Sequence, residues 1–153
     1  MKKVLIITAV YLISGMSFGQ KVGADKVPAA VKESFAKKYA GAKVKKWEKE
    51  GNEYEAEFNW KKMETSANFD SKGTFLASEQ DIKTSDLPTG VGAYCSKNFA
   101  GYKMSEAAKM TDSSGKITFE VEMTKGKTHF DALFDSNGKF IKKVEQSNEE
   151  EED

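Results

Sequence analysis

Residues 68–75 read NFDSKGTF, and residues 133–140 read LFDSNGKF. A chain that writes one turn twice is built from copies, and each copy must then share one architecture. The likeness extends both ways. Residues 28–41 align with 88–101 at an offset of 60, and YEAEF (54–58) aligns with FEVEM (119–123) at an offset of 65. The second copy is longer by five residues ahead of that segment.

Each copy opens on a helical pattern. Val31, Phe35 and Tyr39 follow Pro28 at helical spacing, as Val91, Cys95 and Phe99 follow Pro88. Proline suits the first helical position, where its missing N–H would have no partner, and Gly41 and Gly101 suit the C-terminal end. Ser85 and Asp86 lie where the second helix expects a cap.

Four alternating segments follow each helix. They are expected at 43–50, 53–60, 63–69 and 74–82, then at 103–111, 116–123, 127–134 and 139–145. Tyr54, Ala56 and Phe58 alternate with Glu55, Glu57 and Asn59, the period of a sheet with one dry and one wet face. The motifs DSKG, DSSG and DSNG at 70–73, 112–115 and 135–138 read as hairpin turns, with Asp capping the backbone and Gly supplying a positive φ. A calcium loop needs several alternating oxygen ligands and a closing Glu, which these turns lack.

One half of sixty-odd residues is near the lower limit for a stable core, and four strands alone leave an edge open. The economical fold is α+β: two tandem α-β-β-β-β repeats forming one eight-stranded antiparallel sheet, with both helices packed on one face. The expected divisions are a signal peptide at 1–19, a first repeat at 20–82, a second at 83–147 and an acidic disordered tail at 148–153. The leader shows Lys2 and Lys3, an apolar run at 4–13 and small residues up to Gly19. That run is too short to span a membrane, and no cysteine follows for a lipid anchor.

The chemistry that composition permits is narrow. All 24 basic residues are Lys, balanced by 24 acidic ones, so no nucleic-acid partner is expected. Without Arg the chain lacks the usual bidentate fork for phosphate. The single cysteine excludes an internal disulfide, and its place on the buried helical stripe reads as a small hydrophobe. His129 is the one histidine, so no two-histidine metal site exists. No catalytic residue, metal or cofactor is expected.

The tandem order of helix, YEAEF, FD-x-x-G-x-F and the linker DIKTSDLP resembles the exported PepSY-like proteins, a family related in fold to the secreted beta-lactamase-inhibitor protein. The resemblance spans residues 26–145 nearly throughout. It implies a non-enzymatic periplasmic or secreted protein with a binding or inhibitory role. It implies neither a substrate nor inhibition of a beta-lactamase. That inhibitor is disulfide-bonded and binds through a hairpin and an aromatic-rich sheet face, where this chain has Trp60-Lys61-Lys62 and acidic, Thr and Asn positions.

The wet face is the candidate binding face, carrying Glu55, Glu57, Glu120, Glu122, His129 and Asp131. Its carboxylates are expected to be solvated strand positions. Trp60 is the aromatic candidate: it keeps the dry phase but ends its strand, and Trp47 is the other tryptophan. The expected partner is an exported protein, and the alternative is a periplasmic small ligand or cation. Aromatics beside charge would favour the first and a closed concave pocket the second. The oligomeric state is not fixed by the sequence. Material recovered from outside the cytoplasm should have the intact mass of a chain beginning at Gln20; retention of residues 1–19 overturns the leader assignment.

Overall fold

The computed structural model describes residues 19–145, so the leader up to residue 18 and the acidic tail lie outside the described residues. Nine strands form one antiparallel meander in chain order: β1 Gln20–Val22, β2 Val44–Glu50, β3 Glu53–Trp60, β4 Met63–Asp70, β5 Phe75–Ile82, β6 Lys103–Asp112, β7 Ile117–Lys125, β8 Thr128–Asp135 and β9 Phe140–Glu145. The expected eight strands are therefore nine among the described residues. The addition is β1, which pairs with β2 from Gln20 opposite Lys49 to Val22 opposite Trp47. Three residues are too few to display a period, so the sequence hides this strand.

The helices are α1, Ala29–Lys38, and α2, Val91–Asn98. Both are shorter than the apolar spacing suggests. Pro28 is the N-cap of α1, whereas α2 starts after Gly90, two residues beyond Pro88. Ser85 and Asp86 do not cap α2; they sit in a 3-10 turn, Thr84–Asp86, that leads to it.

Both helices pack on the dry face, but over separate cores. Val31 and Phe35 of α1 lie against Trp47, Tyr54, Phe58 and Phe69, with Phe35 and Phe58 meeting edge to face at 4.8 Å. Val91 and Cys95 of α2 lie against Val121, Met123, Phe130 and Phe134. Phe58 and Phe134 are almost wholly buried. Truncating either to alanine is expected to cost about 3–5 kcal/mol.

Between the two cores runs a seam. The pairing of β5 with β6, from Ala77 opposite Asp112 to Ile82 opposite Ala107, makes the sheet continuous across it. No helix covers this strip of the dry face among the described residues, and its side chains are polar. Ser78, Gln80, Lys109 and Thr111 line a groove of about 80 Å³ there, closed on one side by Tyr39 and Trp60. Gln80 Nε2 donates to Thr65 Oγ1 and to the Trp60 carbonyl, satisfying the groove's polar floor.

The sheet is bulged at four places. Two lie in the first copy, at Val44/Lys46 and Asn68/Phe69, and two at the corresponding places of the second, Met104/Glu106 and Leu133/Phe134. A bulge inserts a residue on one strand and sharpens the twist, so the duplicated bulges curl the sheet in the same sense twice.

The repeated turns explain their own spelling. In each, the aspartate Oδ1 accepts two backbone N–H bonds: from Lys72 and Thr74 at Asp70, from Ser114 and Lys116 at Asp112, and from Asn137 and Lys139 at Asp135. The glycines at 73 and 138 do more than close the turn. A Cβ on Gly73 would lie 2.5 Å from the Ala30 carbonyl oxygen, and one on Gly138 would lie 3.0 Å from that of Thr89. The β4–β5 and β8–β9 turns are thus pressed against the starts of α1 and α2. Gly115 has nearly the same φ as Gly73, 83° against 85°, with open space beside it. Gly115→Ala should therefore cost about 1–2 kcal/mol from φ alone. Gly73→Ala should cost about 1–3 kcal/mol more for the clash. Equal losses in chemical denaturation would show that the helix contact contributes nothing.

Candidate functional site

The face opposite the helices is the candidate site. Glu55 and Glu57 on β3 face Asn68 and Ser66 on β4, and Ser66 faces Glu79 on β5. Across the seam, Glu106 on β6 faces Glu122 on β7, which faces Asp131 on β8, while Glu120 faces Leu133. The seam pairing thus brings the carboxylates of both repeats onto one surface.

This surface is not a plain solvated face. Glu79 is 6% exposed and Asp131 7%, and among apolar neighbours Ala108 is 2% and Leu133 7% exposed. No helix crosses this face among the described residues. The expectation of solvated carboxylates is corrected at Asp131, whereas Glu55, Glu57, Glu120 and Glu122 are half-buried.

Electrostatics follows from that burial. Burial first, then the charges of Glu120, Asp81, Glu55 and Asp131, push Glu79 up to about 8. Burial first, then Asp131 and Glu122, push Glu120 up to about 7. Glu55 and Glu106 are also raised, with burial again the largest cause. Positive charge on the face is sparse. Lys46 bridges Glu48 at 2.7 Å and Glu57 at 3.1 Å, and Lys142 stands opposite Leu133.

Of the residues expected here, Glu55, Glu57, Glu120, Glu122 and Asp131 do share the face, and His129 lies toward its end, half-buried opposite Thr124. Trp60 does not join them. It keeps the phase of Phe58 and stacks edge-on against Tyr39 at 5.6 Å, on the helix side. Trp47 is buried in the first core beside Phe35. Cys95 is buried under α2, where burial raises its thiol, so the sheet separates it from His129.

Glu79 is the residue that alternation misses. Counting in twos from Phe75 places Glu79 on the dry face. The bulge at Asn68/Phe69 inserts a residue in β5, so Phe75 stays opposite Phe69 while Ala77 falls opposite Asn68 on the wet face. The apolar Phe75 beside the turn is the signal that the phase must slip.

Two helix-on-meander units that share one sheet, with helices on one side and carboxylates on the other, define a repeat class of α+β proteins. The chain belongs to the family described as "Putative beta-lactamase-inhibitor-like, PepSY-like", whose model matches residues 17–77 and again 59–142. The curated proteins contain no match to it. Among solved structures it is similar to a BLIP-like protein from Bacteroides fragilis, with a TM-score of 0.70, 21% identity, and 81% of this chain and 90% of that one covered. A DUF2874 family protein from Bacteroides uniformis gives 0.70, 21%, 77% and 88%. A protein from Bacteroides eggerthii described as "putative periplasmic" gives 0.67, 17%, 78% and 88%. These likenesses establish the fold. No helix among the described residues is long and apolar enough to cross a membrane.

The raised carboxyls make stability depend on pH. In the unfolded chain Glu ionises near its ordinary value of about 4.3. The folded chain therefore holds more protons from there up to about 8. Their contribution is complete below the ordinary value and is lost as pH rises through about 7 at Glu120 and about 8 at Glu79. The thermal midpoint should fall between about pH 5 and about pH 9, and Glu79→Gln should flatten that fall and exceed wild type at the alkaline end. A parallel fall in both proteins removes Glu79 as the cause.

Proposed function

We propose that the chain is a non-enzymatic, exported binding module that takes a positively charged surface of an exported protein on its acidic sheet face. The observation that carries this reading is the gathering of Glu55, Glu57, Glu79, Glu120, Glu122 and Asp131 on one face of a sheet, held by strands. Such a surface is preorganised, so a partner does not have to order it on docking. Surplus negative charge accelerates encounter with a cationic partner and rejects acidic ones.

The family's relation to beta-lactamase-inhibitor-like proteins supports a binding role. The leader pattern supports export. The small-ligand alternative has less support, because the 80 Å³ groove lies on the helix side and is far below the usual volume of a ligand pocket, about 300–1,000 Å³. No group of three or more His, Cys, Asp or Glu among the described residues is placed to hold a metal ion.

The test is affinity capture from the producing cell's envelope fraction with residues 20–153 as bait, beside the triple variant Glu57→Gln, Glu106→Gln, Glu122→Gln. A basic protein retained by wild type and depleted on the variant supports the reading. An unchanged set of captured proteins, with the variant folded by circular dichroism, overturns it.

A further inference from the structure

The open face is rich in acceptors and short of donors, and the shortage is local. Glu57 receives the Lys46 ammonium, Glu55 receives the Ser66 hydroxyl, and Glu122 receives the Ser105 hydroxyl at 2.7 Å. Glu79, among the most buried carboxylates described, receives no hydrogen bond or ion pair from any described residue. Diagonal to it across β4 and β5, Asn68, which faces Ala77, has a fully buried Oδ1 that meets no donor. The unmet desolvation cost lies at Asn68 Oδ1, which the fold leaves without a donor, and the Glu79 carboxyl stands near it with a remnant of exposure through which a donor can arrive.

We propose that Glu79 and Asn68 form the receptor for one lysine or arginine head group of the protein partner. This rests on the reading of the acidic face as a protein-docking surface and names the chemistry at its centre. An ammonium carries three donors and a guanidinium five, and neither carries an acceptor. Such a group supplies what both oxygens lack and neutralises the carboxylate. The apolar floor of Ala77, Ala108 and Met110 beside Glu79 suits the methylene stem of such a side chain.

The receptor is proton-gated. Glu79 faces Glu55 from β3, Asp81 along β5, Glu120 from β7 and Asp131 from β8, all of like sign. Its directly opposite neighbours, Ser66 on β4 and Met110 on β6, carry no charge, and both helices lie on the other face. With only like charges facing it, the carboxyl holds a proton until a cation arrives. Entry of the cation then expels that proton to solvent, so binding strengthens as pH rises through neutrality.

The probe is an acetylated, amidated tetralysine peptide, titrated into residues 20–153 by calorimetry at about pH 6 and about pH 8 in buffers of different ionisation enthalpy, because proton release scales with that enthalpy. Wild type should bind about tenfold more tightly at the higher pH and release protons on binding. Glu79→Gln should weaken the alkaline affinity about tenfold and abolish the proton release, while Asn68→Ala weakens it less and leaves the release in place. The variant Glu57→Gln, Glu122→Gln separates the two levels. If it weakens binding while Glu79→Gln does not, the acidic face binds cations but the receptor is overturned. If no variant changes peptide binding, or the peptide does not bind at either pH, both readings fall.

Discussion

Everything on the open face depends on the hydrogen-bonded ladder between β5 and β6. It is the one place where the two repeats become a single sheet, through six residue pairs from Ala77–Asp112 to Ile82–Ala107. Without it Glu79 and Glu120 would belong to separate small domains. With it, burial first, then the charge of Glu120 across the seam for Glu79 and the charges of Asp131 and Glu122 for Glu120, move their ionisation from the ordinary acid range to neutrality. The same ladder closes the edges that each half would otherwise expose.

The two faces of that ladder are treated differently. On the helix side the cores stop short of the seam, and Ser78, Gln80, Lys109 and Thr111 meet water there. On the other side Glu79 and Asp131 are buried among strand side chains. Polar side chains thus sit in a wet groove where apolar ones would be expected, and charged side chains sit under cover where water would be expected. A buried like-charged cluster destabilises a fold.

Much of the architecture was legible because it is periodic. The bounds of β3 match the alternation of Tyr54, Ala56 and Phe58, and Val31 and Phe35 mark α1 without ambiguity. The duplication supplied the second half by analogy, down to the Asp and Gly of each repeated turn. Three things escaped. The strand β1 is too short to have a period. Trp60 keeps its dry phase and finds Tyr39, a tertiary contact that no local pattern announces. Glu79 was hidden because a bulge shifts the phase within its own strand, and its burial depends on side chains of other strands. Periodicity reports which face a residue occupies; it does not report how deeply that face is buried.

The burial of carboxyls on the open face also alters the protein's net electrical state. The composition gives an isoelectric point near 6.6 by treating every carboxyl as an ordinary one. At that pH Glu79 holds its proton and Glu120 holds one for much of the time. The native molecule is therefore less negative than its own denatured chain, and its isoelectric point lies higher. Native and denatured forms of this one polypeptide should focus at different positions in a pH gradient, because they differ in shape and not in covalent structure.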